Sequence, residues 1–177
     1  YLVLGMQALL HFDDKVLAAQ AYAGFAAWNR YLSTRLTPEG TVDYTYYGDW
    51  AAPADSCLSM EDARSSSTPG EFMSTGYYYY NSLLLAQFAK ALEKEQEQAF
   101  YLQQAQQTRQ AILNKWWDGE TGRMATGSQA CQAFALWLGL IPEADRPRAA
   151  QLMRDDLVAR DYRFTTGNLC TRYLLDM

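Results

Sequence analysis

Read for hydrophobic period alone, the chain is helical almost throughout, and two kinds of helix take turns. Residues 1–11 are apolar nearly all round (Leu2, Val3, Leu4, Met6, Leu9, Leu10). Asp13 then offers an N-cap, and 14–35 carries a single apolar stripe: Leu17, Ala21, Phe25, Trp28, Leu32. Residues 71–92 are again apolar on most sides, whereas 95–117 return to one stripe (Tyr101, Ala105, Thr108, Ile112, Trp116) opposite a glutamine-rich face. The beat repeats with 128–140, apolar all round, and 144–160, one-sided through Ala149, Leu152, Met153 and Leu157. Residues 168–177 begin another apolar helix. No stretch alternates as a sheet strand would.

A helix that is apolar all round is buried between layers, and a one-striped helix lies outside with a wet face. The predicted order is therefore inner, outer, inner, outer, inner, outer, inner. Inner-to-outer links are short, near Phe12–Asp13, Glu93–Lys94 and Ile141–Pro142–Glu143, while outer-to-inner links are long: Leu36–Gly70, Asp118–Gly127 and Asp161–Gly167. In a stack of antiparallel hairpins, links of one kind share one end. All the long loops thus gather on one face, where a rigid scaffold presents ligand-binding groups. The pattern fits an α/α toroid or a helix-pair solenoid, and no repeat at a fixed period supports the solenoid. A six-hairpin toroid has twelve helices and this pattern supplies seven, starting and stopping inside helices. Residues 1–177 are therefore expected to be part of one toroidal domain, incomplete at both ends.

Composition removes whole classes of function. Of 177 residues, 49% are hydrophobic and only 20% charged, which is enough apolar content for one substantial core and too much for a disordered segment. The net charge is −5, with Lys and Arg scattered, so neither a nucleic acid nor an anionic membrane surface finds the basic face it needs. No apolar run is long enough to span a bilayer, and no signal peptide is expected from the opening residues. Cys57, Cys131 and Cys170 show no CxxC spacing, which excludes a zinc knuckle and a disulfide framework and leaves the compartment open. His11 is the only histidine, and it closes the first helix at the short-loop end. The residues give no metal site and no cofactor motif.

The richest segment is the long loop 36–70. Thr37-Pro38-Glu39-Gly40 is turn chemistry, and beyond it Tyr44, Tyr46, Tyr47, Gly48, Asp49 and Trp50 gather aromatic rings around one carboxylate. A sugar exposes hydroxyls and a C–H face, so its site needs a hydroxyl acceptor and a flat ring. Asp49 and Trp50 supply both. The alternative is structural: Trp50 plugs the core and Asp49 caps a turn. Among the other acids, Glu61 and Asp62 read as solvated, and Glu71 complements the positive end of its helix. The Tyr77–Tyr80 run reads as core, because consecutive helix positions cannot all face one ligand.

The wording of several segments adds a resemblance. Tyr47-Gly48-Asp49-Trp50-Ala51-Ala52-Pro53, then Thr68-Pro69 and Met73-Ser74-Thr75-Gly76-Tyr77-Tyr78-Tyr79-Tyr80, resembles the catalytic domain of bacterial α-L-rhamnosidases of glycoside hydrolase family 78. Gly127-Ser128-Gln129-Ala130, Leu138-Gly139-Leu140-Ile141-Pro142-Glu143 and Phe164-Thr165-Thr166-Gly167-Asn168-Leu169-Cys170-Thr171 are similar to later segments of the same domain, in the same order. The resemblance runs from about residue 12 to the end. It implies an (α/α)6 barrel and inverting hydrolysis of terminal α-L-rhamnosyl residues from a glycoside or oligosaccharide, without cofactor. Inversion uses a general acid and a general base roughly 6.5–9.5 Å apart, with room for the attacking water.

Asp49 and Trp50 fall where the family contacts the sugar. Tyr47, Gln129 and Thr166 belong to the same mouth with no defined role, Trp116-Trp117 ends an outer helix there, and the loop 53–67 would restrict the leaving group. The chain departs from the family in lacking both expected catalytic glutamates, which implies that the remainder of the barrel must supply them and that these 177 residues alone have no turnover. Two other readings stay open at this point: a different toroidal carbohydrate enzyme, and a helical-hairpin interaction domain.

Overall fold

The computed structural model describes residues 1–44, 47–53 and 64–176. Tyr46, Cys57, Met60, Glu61, Asp62 and most of the loop expected to restrict the leaving group therefore lie outside the described residues. Among the described residues seven α-helices follow one another: α1 (Leu2–Phe12), α2 (Lys15–Ser33), α3 (Gly70–Ala91), α4 (Glu95–Trp116), α5 (Gln129–Trp137), α6 (Arg146–Ala159) and α7 (Cys170–Leu175). Two-residue strands β1 (Trp117–Asp118) and β2 (Arg123–Met124) pair antiparallel between α4 and α5. That ribbon is the one ladder of named strands among the described residues, and the fold is all-α as expected. Two residues a side are too few for an alternating pattern to register.

Burial sets the inner helices α3 and α5 apart from the outer ones, whereas α1, also expected inside, buries only three of its 11 residues, about the same share as the outer helix α2. Fourteen of the 22 residues of α3 and eight of the nine of α5 are buried, against five of 19 in α2, five of 22 in α4 and two of 14 in α6. The inner helix α1 packs on α3, and α5 packs on α7, while α2, α4 and α6 lie against α1 and α3, α3, and α5 respectively. Helices α3 and α5 meet through Phe134, whose ring stands 5.9 Å from Phe72, 5.3 Å from Tyr77 and 5.3 Å from Tyr173 of α7. Gly76 makes that approach possible, since a Cβ there would fall inside the Phe134 ring and against Leu138. At the edges of the arc, Leu4 and Leu10 of α1 and Leu175 of α7 remain exposed.

The short links are built by helix-end chemistry that the sequence announces. Gly139 takes φ +67 just past α5, and the Leu140 N–H returns to the Ala135 carbonyl, the left-handed ending that glycine favours. At the first link the roles shift by one residue. Asp14, not Asp13, caps α2 by accepting from the Leu17 N–H at 2.8 Å, and Asp13 closes α1 in the left-handed region at φ 49. Two adjacent acids offer the same cap, and the one with the N–H three residues ahead takes it. Ser128 caps α5 through the Cys131 N–H. Behind the layers, Gln104 of α4 accepts from Asn29 of α2 at 2.5 Å and from Ser82 of α3 at 2.9 Å, so one amide joins three helices.

Replacing Gly76 with Ala is expected to destabilise the protein by about 1–3 kcal/mol, because overpacking at Phe134 outweighs the roughly 0.5–1 kcal/mol that Ala gains in a helix. Urea denaturation of Gly76→Ala measures it. Adding Phe134→Leu, which withdraws the ring, should return part of the loss.

Candidate functional site

At the mouth of the helices the chain folds back on itself in three layers of backbone. Gly48 has φ +64, and a Cβ there would strike the Thr68 carbonyl, so only glycine lets the 47–50 turn lie this close to 65–68. The Ser65 N–H donates to the Tyr47 carbonyl at 3.1 Å and fixes that approach. On the opposite side Gly167 presses on the Asp49 and Trp50 carbonyls, again with no room for a Cβ. The Asn168 N–H donates to the Trp50 carbonyl at 3.0 Å.

Asp49 closes this sandwich. Its side chain is buried with no exposed surface, and both oxygens accept from backbone. Oδ2 accepts the Gly167 N–H at 2.5 Å, and Oδ1 accepts those of Leu169 at 3.1 Å and Cys170 at 2.9 Å. Those of Leu169 and Cys170 are N–H groups at the start of α7, which a carboxylate satisfies in charge as well as in hydrogen bonding, and that of Gly167 belongs to the turn before it. Burial pushes the Asp49 carboxyl up from its usual range, and the three backbone donors pull it back without cancelling that effect. Beneath it, burial and the Asp49 charge raise the Cys170 thiol far above its ordinary value, so this cysteine is an inert packing group 3.9 Å from Met73 sulfur.

Above the sandwich opens a cavity of about 650 Å³ lined by Tyr47, Gly48, Trp50, Met73, Tyr77, Asn168 and Leu169. Trp50 is 46% exposed and Tyr47 45%, with their rings 6.4 Å apart and nearly perpendicular. Tyr77 enters from α3, its hydroxyl paired with that of Tyr173 at 3.0 Å. Burial raises the Tyr77 phenol far beyond its ordinary value, and the Tyr173 hydroxyl adds to it, so Tyr77 is a neutral wall rather than an acid or base. Among the described residues no acid lines the cavity, and no group of three or more His, Cys, Asp or Glu is placed to hold a metal. The wall can hold a flat, partly apolar ligand that carries hydroxyls.

The expected site residues are thus divided between the wall and its support. Trp50 and Tyr47 face the cavity, and Asp49 lies beneath them with its oxygens taken by backbone. Gln129 and Thr166, expected at the mouth, build the loop before α7 there and do not line the cavity. The buried Gln129 side chain donates to Asp156 at 2.8 Å and to the Arg163 carbonyl and accepts from the Thr165 N–H, while Thr166 pairs with Thr171. Glu71 is held by Lys115 at 2.6 Å and by Thr41. Of the four consecutive tyrosines, Tyr78 and Tyr79 are core, as the helical period requires, yet Tyr77 lines the cavity. Met73, one helical turn before Tyr77, joins it on that face, and their four-residue spacing is the signal that pairs them. Trp116 turns inward onto Phe72 at 5.4 Å. His11 is exposed and bonds only Gln7 among the described residues.

Two helix layers with their long loops gathered around an aromatic cavity are a segment of an all-α, six-hairpin toroid. More narrowly, the chain belongs to the bacterial alpha-L-rhamnosidase six-hairpin glycosidase domain family, whose model matches residues 2–177. It is 27% identical over 165 residues to an alpha-L-rhamnosidase of Streptomyces avermitilis, covering 93% of this chain and 14% of that protein. The fold superimposes on the alpha-L-rhamnosidase of Dictyoglumus thermophilum with a TM-score of 0.85 at 28% identity, over 99% of this chain and 19% of that one. It superimposes on the Streptomyces avermitilis alpha-L-rhamnosidase complexed with L-rhamnose with a TM-score of 0.79 at 25% identity, over 93% of this chain and 15% of that one. The chain therefore spans less than a fifth of the length of these relatives.

Asp49→Ala leaves three buried N–H groups without an acceptor and is expected to cost about 2–4 kcal/mol in urea denaturation. The loss should appear as faster hydrogen exchange at the Gly167, Leu169 and Cys170 amides, with the α3 amides unchanged. Uniform acceleration across the chain would contradict this local role.

Proposed function

We propose that this chain forms the sugar-binding wall of an inverting α-L-rhamnosidase, with Trp50 as the face on which the pyranose ring rests. The observation that carries the reading is the exposure of Trp50 in the cavity on a backbone that Gly48, Gly167 and Asp49 hold in place. A pyranose buries its C–H face on an indole and keeps its hydroxyls at the ring edge, which suits a half-exposed tryptophan in a mostly apolar wall. Asp49 serves the same site as the group that positions Trp50 against the 167–170 turn. Family membership supports rhamnoside hydrolysis, as does the L-rhamnose bound in the Streptomyces avermitilis relative.

Inverting hydrolysis needs a carboxylic acid and a carboxylate on opposite sides of the sugar, about 6.5–9.5 Å apart. No such pair faces the cavity among the described residues, so in this reading both come from the remainder of the barrel, and these residues alone do not turn over substrate. The same remainder covers the exposed apolar edges at Leu4, Leu10 and Leu175.

The test is a panel of aryl glycosides with the full-length protein that carries this chain. The aryl α-L-rhamnoside should be the one cleaved, giving the inverted sugar by NMR at early times. Trp50→Ala should lower kcat/KM on the order of 10- to 100-fold, equivalent to about 1.4–2.8 kcal/mol of lost binding to the transition state. Asp49→Asn should lower it through disorder of the same turn. Cleavage of another glycoside with the rhamnoside untouched would remove the substrate assignment and leave the fold.

A further inference from the structure

We propose that Asn168 hydrogen-bonds a hydroxyl of the bound glycoside and so determines which neutral pyranoside the cavity accepts. The inference rests on the reading that the cavity beside Trp50 is the sugar pocket.

Asn168 sits in the most tightly determined stretch of backbone at the mouth. The N–H groups on either side of it, those of Gly167, Leu169 and Cys170, all end on the Asp49 carboxylate, and its own ends on the Trp50 carbonyl. Close approach at Gly167 sets its Cα against the backbone of Trp50 itself. With these four consecutive amides committed, Asn168 keeps only its side-chain torsions free. What it presents to the cavity is therefore fixed in place to within a rotamer.

Its side chain is exposed in the cavity wall and makes no hydrogen bond to any other described residue. Around it the wall is mostly ring and hydrocarbon, from Trp50, Tyr47, Met73, Leu169 and Tyr77, and the Tyr77 hydroxyl is already paired with Tyr173. A carboxamide offers two N–H donors and one acceptor oxygen, which is the complement of a hydroxyl or of two adjacent hydroxyls. It carries no charge, and no cation lines the cavity among the described residues, so a uronate would leave its carboxylate unanswered. The ligand class that fits is a neutral sugar lying on Trp50 with a hydroxyl edge turned to Asn168. A site built to bond one hydroxyl rejects the analogue that lacks it far more strongly than an apolar wall can.

The experiment compares full-length wild type, Asn168→Ala, Asn168→Asp and Trp50→Ala on an aryl α-L-rhamnoside and its 2-, 3- and 4-deoxy analogues, with thermal melts confirming the fold of each variant. Asn168→Ala should lose about 10- to 100-fold in kcat/KM on the parent rhamnoside and nothing beyond about twofold on one deoxy analogue, because the hydroxyl it served is gone. Asn168→Asp, keeping the acceptor and losing the donors, should fall between. Trp50→Ala should lower all four substrates together. Equal loss on every analogue with Asn168→Ala would show a structural role and overturn the proposal, as would no loss on any. If Trp50→Ala leaves turnover unchanged, the pocket reading itself falls and takes Asn168 with it. Loss with Trp50→Ala alone overturns only the Asn168 assignment. The same comparison, made as Kd for L-rhamnose and its deoxy forms, separates these outcomes without turnover.

Discussion

The mouth of this domain is organised by a carboxylate that has no access to water. Asp49 is buried without exposed surface, a position that is costly for an acid unless its oxygens are answered. They are answered by three backbone N–H groups from residues 118 to 121 positions further along the chain. Among the described residues one short side chain thus makes the hydrogen bond of longest sequence separation, an entropic cost it must offset. It also starts a helix. At six residues α7 is too short to persist alone, and an anion on its first N–H groups meets both its hydrogen-bonding need and its dipole. Remove the carboxylate and the turn, the helix start and the seat of Trp50 lose their common anchor together.

The helical layers set where that anchor can act. Inner helices α3 and α5 are buried on nearly every side, so their approach is governed by shape, and Gly76 against Phe134 is the closest fit. Phe134 also touches Tyr77 and Tyr173, so the ring that packs the inner layer supports the floor of the cavity. Outer helices need only one buried stripe, and their polar ties, such as Gln104 to Asn29 and Ser82, fix their position on the inner layer. With each hairpin held, the long loops have one end of the stack to occupy. The cavity is a consequence of that rule before any particular side chain is considered.

The layer order was legible because breadth of burial is written directly into composition around each helix. The end of α5 falls earlier than the apolar pattern implies, at Trp137 rather than residue 140, and Gly139 follows in the left-handed position that only glycine takes cheaply. Other features depend on partners far along the chain and left no local trace. Asp49 beside Trp50 reads as a hydroxyl acceptor from its neighbours, yet the N–H groups of residues 167–170 take both oxygens. Gln129 opens a helix at the mouth and turns down to Asp156 and the 163–165 backbone rather than up to the cavity. Among Tyr77–Tyr80 the sequence limits how many rings face a ligand. Which one does so is fixed by the rotation of α3 against Phe134, and Tyr77 is the outcome. The β1–β2 ribbon is too short for any period to show.

Support and recognition are carried by different atoms in this site. Backbone amides, the Asp49 carboxylate and two glycines define the position of the 47–50 and 166–170 segments. The side chains of Trp50, Tyr47 and Asn168 face the cavity, whereas the bonds that run between the two segments are made by backbone atoms and the Asp49 carboxylate. A change at such a side chain alters what the cavity binds while the frame is kept, whereas a change at Gly48, Asp49 or Gly167 moves every wall residue at once. The ring face of Trp50 and the amide of Asn168 are joined by a single backbone hydrogen bond, from the Asn168 N–H to the Trp50 carbonyl. The spacing of their backbones is therefore a property of the fold, and a ligand meeting both must match it to within the side-chain torsions that remain free.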